Sequence, residues 1–366
     1  MSNTHDKKLP DVSVVVPCYN AGRYLAQCLE SILGQSHTGL EVVCLNDGST
    51  DGSLAVMQEY AERDVRVVVV DKPNEGYGAT CNRGIDEASG TYISIVEPDD
   101  WIEQGMYEDM LAFASRFASP PDMVKTPYWR ILMPDTPQQR KLNCSYRHRI
   151  RPPCQPFEIG VAPHLLCHHP SIWSALYRKA FLDDCGIRFM PIPGAGWADN
   201  PFLIETCCQA RSIVYLDRPY YCYREETPES YAAFARNHTL VPFQRWNEQM
   251  DVLERLNVTD EGVLRAQNSR GFTYLAGITA EVPLEDPALH VEAERMFSRM
   301  DVDLVLSDAE IPPRSKDLFL ELRGLPPQRT ARLPYWLGLV AQGLYTLRNT
   351  GLRFTLQSLT DFLKRQ

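Results

Sequence analysis

Residues 92–101, Tyr-Ile-Ser-Ile-Val-Glu-Pro-Asp-Asp-Trp, are a β-branched apolar run that changes abruptly into acidic residues. Glu97, Asp99 and Asp100 are therefore expected where a buried strand meets solvent. Carboxylates packed this closely repel one another unless a divalent cation such as Mg²⁺ or Mn²⁺ neutralises them, and such a cation commonly accompanies a phosphorylated ligand. The segment predicts a strand end that holds a metal ion and a phosphate.

Short apolar runs and helical patterns alternate through the first third of the chain. The strand candidates are residues 12–16, 41–45, 65–70 and 91–96. The helix candidates are residues 25–33, where Leu and Ile recur at helical spacing, and residues 54–62. Near-continuous apolar runs are typical of strands covered on both faces. The alternation predicts an α/β fold with a mostly parallel, doubly wound sheet flanked by helices.

Polar clusters follow three of these runs, at residues 17–20, 46–49 and 97–100. Ligands of doubly wound sheets bind at the carboxyl ends of the strands, so the clusters are expected to converge on one edge. Residues 46–53 could be an ordinary strand-to-helix turn, with position 49, 50 or 51 capping the helix. An Asp at position 47 could also accept the imide N–H of uracil. The glycines of residues 74–78 would let a backbone approach a sugar or phosphate, or would serve a simple turn.

Composition limits the class of partner and the compartment. The chain has 366 residues, 44% hydrophobic and 23% charged, which is ordinary globular usage with room for about two domains. Its net charge of −10 argues against nucleic acid as a partner, because duplex binding depends on Lys and Arg neutralising phosphates. Eleven cysteines, an odd number without a C-x-x-C pair, favour a reducing compartment.

Membrane-spanning segments are not expected from the sequence. The N-terminus lacks an apolar signal core, and the longest apolar stretch, residues 333–345, is shorter than a bilayer span and contains Gln342. We therefore expect a cytoplasmic protein without transmembrane helices.

The motifs resemble those of family 2 glycosyltransferases in order and spacing, over roughly residues 11–230. They are Pro-Cys-Tyr-Asn at 17–20, Asn-Asp-Gly-Ser-Thr-Asp-Gly-Ser at 46–53, Asn74-x-Gly76 with Asn82-x-Gly84, and Glu-Pro-Asp-Asp at 97–100. The resemblance implies a GT-A (Rossmann-like) fold, a nucleotide-sugar donor that is usually UDP-linked, and inversion at the anomeric carbon. It also implies Mn²⁺ or Mg²⁺ as cofactor.

The resemblance assigns donor contacts residue by residue. Asp47 matches the family's uracil-contacting aspartate, and residues 97–100 match its D-x-D-D segment, which binds ribose and the metal on the diphosphate. Glu97 stands where the family usually has Asp, and the metal is placed on Asp99 or Asp100 without a choice between them. The residues expected to contact the donor are Pro17, Tyr19, Asn20, Asp47, Gly76, Asn82, Glu97, Asp99 and Arg224.

The second half resembles the acceptor side of the family. Asp199 falls on the catalytic carboxylate of the family's acidic pair, in which Ala198 replaces the first member, and a carboxylate there suits the base that deprotonates the acceptor. Asp199 could instead only cap a helix over residues 200–210, and Arg224 could be a surface residue of an aromatic edge strand. The residues expected to contact the acceptor are His169, Trp173 and Trp197.

Four regions follow from this reading. They are a flexible N-terminus (1–10), a nucleotide-sugar-binding half (11–118), an acceptor-binding half (119–240) and a helical C-terminal region (241–366). Residues 323–366 carry +6, whereas the remaining chain carries −16. Leu352, Leu356, Leu359 and Leu363 give this basic tail one apolar face, which could lie on an anionic bilayer or pack on the core.

The expected activity is metal-dependent transfer from a UDP-sugar to a glycan or lipid-linked saccharide in cell-surface polysaccharide assembly, at the inner face of the plasma membrane. One alternative is a nucleotidyltransferase, which would need a glycine-rich loop with Arg or Lys after the first strand, and residues 17–20 provide none. A second alternative is a non-catalytic GT-A scaffold, suggested by Glu97 and Ala198.

Overall fold

The computed structural model describes residues 9–192, 194, 196–225, 228–329 and 332–364. The expected flexible N-terminus therefore lies outside the described residues except for Leu9 and Pro10. None of the described helices has the length and hydropathy needed to cross a bilayer.

Eleven strands are found among the described residues. They are β1 (Val12–Cys18), β2 (Leu40–Asp47), β3 (Val67–Lys72), β4 (Tyr92–Ile95), β5 (Trp101–Ile102), β6 (Met123–Lys125), β7 (Tyr128–Leu132), β8 (Arg140–Asn143), β9 (Ala175–Arg178), β10 (Ile213–Tyr215) and β11 (Tyr221–Arg224). The four runs predicted from the sequence are β1 to β4.

The helices alternate with the first strands and then dominate the C-terminal third. They are α1 (Gly22–Leu33), α2 (Ser53–Arg63), α3 (Tyr77–Glu87), α4 (Met106–Ala114), α5 (Lys179–Asp184), α6 (Asp199–Gln209), α7 (Pro228–Asn237), α8 (Val241–Arg255), α9 (Glu261–Thr279), α10 (Pro287–Ser298), α11 (Val302–Ser307), α12 (Pro313–Leu322), α13 (Arg332–Thr350) and α14 (Leu352–Lys364). Two short 3₁₀ turns, Ile159–Val161 and Pro163–Leu166, precede β9.

The main sheet has seven strands in the order β10-β6-β9-β4-β1-β2-β3. All pairings are parallel except those of β9, which runs antiparallel to both β4 and β6. The expected mostly parallel sheet flanked by helices is confirmed. The predicted boundary at residues 118 and 119 falls between β4 and β6 within this one sheet, so the two halves share a hydrogen-bonded core.

A second sheet has four strands in the order β5-β11-β7-β8. Its strand β5 follows β4 after only five residues, so the acidic segment 96–100 is the crossing from one sheet to the other. Strand β11 lies between β5 and β7. The alternative of an aromatic edge strand with a surface Arg is therefore wrong, because β11 is interior and Arg224 is buried.

Helix α2 begins one residue before the predicted start at residue 54. Its first residue is Ser53 and the preceding Gly52 has no side chain, so none of the three predicted residues is the N-cap. Asp51 still contributes, because its Oδ1 accepts a hydrogen bond from the Ser53 amide at 2.9 Å and its Oδ2 accepts one from the Gly22 amide at 3.0 Å. The carboxylate thus joins the starts of α1 and α2.

Helix α3 is clamped to the segment that precedes α6. Asn82 donates to the Phe189 carbonyl at 2.8 Å and accepts from the Phe189 amide at 2.7 Å, and the Tyr77 amide donates to the Gly194 carbonyl at 3.0 Å. Gly76 has φ of +91°, and a Cβ there would lie 2.7 Å from the Ile192 carbonyl oxygen. Glycine is therefore required where these two backbones meet.

Close packing of α3 on this segment predicts that Gly78→Ala is destabilising. The added Cβ would overlap the backbone carbonyl oxygen of Met190, which cannot rotate away, and overpacking of this kind costs about 1–3 kcal/mol. Gly343→Ala is the matched control, because no atom lies within 4 Å of its added Cβ and alanine favours a helix by about 1 kcal/mol. Urea unfolding midpoints measure both, and equal midpoints for the two variants would contradict the close approach.

Candidate active site

The acidic crossing is fixed from its buried end by Asp100. Asp100 is only 2% exposed, and its Oδ1 accepts from the Arg224 amide at 2.7 Å while its Oδ2 accepts from the Tyr221 hydroxyl at 2.8 Å. Burial and the neighbouring Asp99 raise the pKa of Asp100, although these two hydrogen bonds act in the opposite direction. Both oxygens face protein donors, so Asp100 anchors the crossing to β11.

Tyr221 connects the two ends of the crossing. Its hydroxyl donates to Asp100 and accepts from the Glu97 amide at 3.1 Å. The ring is stacked on Trp173, with centroids 3.9 Å apart and an interplanar angle of 18°. The position of the acidic segment therefore depends on an aromatic cluster in the second half of the chain.

The expected acceptor residues His169 and Trp173 belong to that cluster. Trp173 is 3% exposed and also packs on Tyr128 and Tyr223, which leaves almost no surface for a ligand. His169 Nδ1 accepts from the Ser171 amide at 3.0 Å, and burial followed by the charge of Arg270 lowers its pKa to about 3. His169 is therefore neutral, and both residues support the neighbouring strand by packing.

Unlike Asp100, the carboxylates of Glu97 and Asp99 accept no hydrogen bond from β11 among the described residues. Glu97 accepts a hydrogen bond from the Tyr77 hydroxyl at 2.5 Å. Burial, together with the charges of Asp99 and Asp199, raises the pKa of Glu97 to about 8, while Tyr77 opposes the shift. Asp99 is exposed, yet desolvation by the surrounding protein raises its pKa, while the nearby Arg224 opposes the rise.

Asp47 lies at the carboxyl end of β2 and orders the glycine loop. Its Oδ1 accepts from Lys72 Nζ and from the Glu75 amide at 2.9 Å, and its Oδ2 accepts from the Gly76 amide at 3.0 Å. Burial raises the pKa of Asp47, but Lys72 and these amides outweigh it and the net pKa is lowered. The Thr80 hydroxyl also lowers the pKa of Asp47, and the residue is only 3% exposed, so protein groups surround most of this carboxylate.

The other expected donor residues of the first strands have different exposures. Pro17 is buried in β1, where it pairs with Leu45. Tyr19 is 55% exposed, and Asn20 has φ of +54°. The Asn20 Oδ1 accepts from the Thr50 amide at 2.8 Å, so this residue ties the loop after β1 to the loop after β2.

Arg224 is buried beside the acidic crossing. Its Nη1 donates to Asp135 at 2.7 Å and its Nη2 to Gln27 at 2.5 Å. The guanidinium lies 4.5 Å from the centroid of the Tyr24 ring and 4.8 Å from that of Trp101. Its buried Nε has no hydrogen-bond partner among the described residues. The cation is thus held rigidly, with one donor left over.

Asp199 is the first residue of α6, and the position before it is Ala198, which has no capping side chain. Its Oδ1 accepts from the Asn200 side chain at 3.1 Å. Burial raises the pKa of Asp199 to about 6, and the nearby Arg270 limits the rise. A carboxylate with this pKa is ionised at neutral pH and basic enough to accept a proton.

The C-terminal helical region supplies residues that sequence reasoning missed. Arg270 of α9 donates to the Leu166 carbonyl at 2.9 Å and to Asn200 Oδ1, which also accepts from the Tyr274 hydroxyl at 2.7 Å. Asn200 in turn donates to Asp199. In the sequence, the only sign of this role is that Arg270 and Tyr274 are four residues apart and therefore share one face of α9. That spacing does not reveal Asn200 as their partner.

Trp197 lies on the same side of the site. It has φ of +57°, its ring stacks on Phe234 at 5.2 Å with an interplanar angle of 5°, and it lies 5.3 Å from the Tyr274 ring. Trp197 is only partly buried, so one part of its surface stays available beside Asp199.

Three of the expected carboxylates, Glu97, Asp199 and Asp47, lie near the same thiol. The thiol of Cys81 on α3 has its pKa raised by burial first and then by the charges of Glu97, Asp199 and Asp47. Glu97 responds to Asp99 and Asp199 as well. Gly76 and Asn82, expected to contact the donor, hold the loop that leads from this region to Asp199. Carboxylates from three distant parts of the sequence therefore surround one region.

A divalent cation fits this arrangement only in part. Mutual repulsion and burial keep Glu97 protonated at neutral pH, and a nearby cation would relieve both effects. No group of three or more His, Cys, Asp or Glu side chains in the described ranges is placed to hold a metal by itself. The donor set thus suits an ion that shares its coordination with a phosphorylated ligand.

Comparisons with known proteins agree with this geometry. The sequence pattern of "Glycosyl transferase family 2" matches residues 13–186. EpsH of Bacillus subtilis (strain 168) is 31% identical over 229 residues, 59% of this chain and 61% of EpsH. A chondroitin synthase of Escherichia coli is 37% identical over 102 residues, 28% of this chain and 15% of that protein. The chain thus spans about three-fifths of EpsH and less of the synthase.

Solved structures extend the likeness beyond residues 13–186. S. aureus TarS, residues 1–349, superimposes with a TM-score of 0.66 at 21% identity, covering 86% of this chain and 87% of that chain. Its complex with UDP-GlcNAc gives a TM-score of 0.64 at 22% identity. At these identities the likeness establishes the fold, including helices after the sheet. Over residues 13–186 the chain is thus similar to members of glycosyl transferase family 2, and it shares its overall fold with TarS.

Proposed function

We propose that the chain is a metal-dependent, inverting glycosyltransferase that uses a UDP-sugar. The observation that carries the proposal is the gathering of Asp47, Glu97, Asp99 and Asp199 around one region at the carboxyl ends of the strands. The similar fold of TarS, solved with UDP-GlcNAc, supports a uridine nucleotide as the donor class.

The donor is assigned to the edge formed by β1, β2 and β4. Asp47, whose carboxylate the amides of the glycine loop hold in place, would accept the uracil imide N–H. Tyr19 and Asn20 would flank the nucleotide from the loop after β1. Arg224 would act on the diphosphate as a fixed positive charge, because its guanidinium is already held by Asp135 and Gln27.

The metal is assigned to Asp99, with the donor diphosphate as the other ligand. Asp99 is the exposed carboxylate of the crossing, whereas Asp100 has both oxygens bonded to β11. When bound, the cation would stabilise the negative charge that develops on the departing diphosphate. Glu97 would lie next to it and respond by losing its proton.

Asp199 is assigned as the general base. Its carboxylate takes the proton of an acceptor hydroxyl while that oxygen forms a bond to the anomeric carbon. The bond between that carbon and the β-phosphate oxygen breaks on the opposite face, so UDP leaves and the configuration inverts. Trp197, held against Phe234, would provide a ring on which an acceptor sugar can lie.

The acceptor is proposed to be a glycan or lipid-linked saccharide in cell-surface polysaccharide assembly, in line with the chondroitin synthase among the relatives. We place the reaction in the cytoplasm, at the inner face of the plasma membrane. All eleven cysteines are free, which suits a reducing compartment. The basic tail would be attracted to anionic lipids there.

Donor and metal binding can be tested by thermal stabilisation. UDP-sugars with Mn²⁺ should raise the melting temperature, because a ligand of the native state stabilises it, and Asp99→Asn should lose the metal-dependent part. Asp303→Asn, an exposed aspartate on α11, is the control and should keep it. Asp100→Asn should instead lower the stability without ligand by about 1–3 kcal/mol, because the Asn nitrogen cannot accept from one of the two buried donors. Equal stabilisation without cation would contradict the metal assignment.

The base assignment predicts a pH profile. Asp199 must be ionised to act, so the transfer rate should be level above pH 6 and fall about tenfold for each pH unit below it. Asp199→Asn should lower the transfer rate by about 10²–10⁴-fold and still be stabilised by UDP. Normal transfer by this variant would refute the assignment.

The charge of Arg270 should set the pH below which the transfer rate falls, because it lowers the pKa of Asp199. Arg270→Gln removes a cation that lowers the pKa of Asp199, so the acid limb should move to higher pH by about one unit. Tyr274→Phe removes a hydrogen bond to Asn200 but leaves the charge, so its limb should stay near pH 6 even if the rate changes. Identical limbs in both variants would mean that Arg270 acts only through packing.

A further inference from the structure

The exposed apolar surface of the protein is concentrated on its last two helices. Among the side chains that the structure describes, nine of the seventeen exposed large apolar residues lie between positions 333 and 359, whereas the other eight are spread over the preceding sequence. The nine are Leu333, Trp336, Leu337, Val340, Leu344, Leu347, Leu352, Leu356 and Leu359. A contiguous patch of this kind on a soluble surface usually marks an interaction site.

The six residues on α13 form one stripe. They are 41–69% exposed, and on a helix with 3.6 residues per turn their positions fall within about 100° of arc. Leu352, Leu356 and Leu359 form the corresponding stripe of α14. We call these nine side chains the apolar face. The sequence also predicts Leu363 on this face, but its side chain is not among those that the structure describes.

The opposite side of α13 is bound to the body of the protein. The Tyr345 hydroxyl donates to the Arg147 carbonyl at 2.6 Å, and the Asn349 carbonyl accepts from the Asn143 side chain at 3.0 Å. The Arg149 guanidinium lies 3.5 Å from the centroid of the Tyr345 ring. These contacts fix the rotation of the helix and therefore direct the apolar face outward.

Helix α14 is likewise attached to the body by the side opposite its leucine stripe. The ring of Phe354 packs beneath the guanidinium groups of Arg130 and Arg140, at 5.6 and 5.9 Å. A helix on the surface of a water-soluble domain normally turns its apolar side to the core. Here both helices have the reverse arrangement, with polar and aromatic groups inward and aliphatic groups outward. The alternative that the tail simply packs on the core accounts for only one of its two faces.

Charge identifies what covers the apolar face. Arg332, Arg348 and Arg353 lie on α13 and α14, are exposed, and form no ion pair with a described carboxylate. The sequence from 323 onward carries +6 in a chain whose net charge is −10. Aliphatic and Trp side chains bordered by unpaired Arg are the pattern of a helix that lies in the surface of an anionic bilayer.

We propose that the apolar face of α13 and α14 docks on an anionic phospholipid bilayer, with both helices lying in the plane of its surface. Helix α13 packs on β8, which belongs to the four-stranded sheet whose β11 binds Asp100. Docking would thus hold the sheet beside the active site close to the lipid. The inference extends the proposed location and does not depend on the transfer chemistry, so vesicle binding and catalysis can fail separately.

Flotation of the full chain with phospholipid vesicles tests the proposal. Vesicles of phosphatidylcholine containing phosphatidylglycerol should bind the protein, pure phosphatidylcholine should bind it much less, and added salt should weaken the binding. Leu337→Ser, Val340→Ser and Leu344→Ser together should lower vesicle binding about 100-fold or more. Arg348→Gln with Arg353→Gln should lower it roughly tenfold or more.

The matched control replaces three exposed valines elsewhere by Ser, at Val65, Val68 and Val291, and should bind vesicles normally. Circular dichroism and urea unfolding establish that each variant is folded. Equal loss of binding in the control, or unchanged binding in the triple variant of α13, would overturn the proposal. Sedimentation that shows a concentration-dependent oligomer, dissolved by the α13 substitutions and indifferent to vesicles, would assign the apolar face to a second copy of the chain instead.

Discussion

The arrangement of the active site depends on the buried carboxylate of Asp100. A charged or polar group taken out of water must find partners inside the protein, and Asp100 finds them in the amide of Arg224 and the hydroxyl of Tyr221. Both belong to β11, so satisfying one side chain joins the crossing from the seven-stranded sheet to the four-stranded sheet. Asp99 is thereby directed to solvent, and the glutamate at the other end of the crossing is held through the same Tyr hydroxyl.

A second constraint sets the distance between donor and acceptor sides. Helix α3 begins at the glycine loop ordered by Asp47, and it holds the segment before α6 through Asn82 and the close approach at Gly76. The segment that leads to Asp199, the proposed base, is therefore held at Phe189 and Gly194. Helix α9 adds a third point of support, because Arg270 reaches Asn200 from the C-terminal region. Two separate parts of the chain, the α3 region and α9, thus support the surroundings of Asp199, as the proposed base role requires.

The electrostatics of the cleft follow from that geometry. Carboxylates gathered in a partly desolvated region raise one another's pKa, which brings Glu97 to about 8 and Asp199 to about 6. The two carboxyl groups therefore lose their protons at different pH although their chemistry is similar. Glu97, within the crossing, is protonated at neutral pH and would lose its proton when a cation binds nearby. Asp199, near Arg270, is already ionised at neutral pH. Environment alone separates the two roles.

The sequence by itself determined the strands β1 to β4, the mostly parallel sheet and the acidic strand end, because local hydrophobic periodicity and strand-end chemistry are written in neighbouring residues. Only the tertiary structure decided the rest. Trp173 and His169 pack together in the aromatic cluster, and two hydrogen bonds to β11 made Asp100 an anchor. A contact between residues 70 positions apart, Arg270 and Asn200, brought Arg270 close to Asp199. The sequence also predicted an amphipathic tail, but which side of α13 faces outward depended on the contacts of Tyr345 and Asn349 with the body. Periodicity specifies that a helix has two faces, and long-range packing alone determines where each one points.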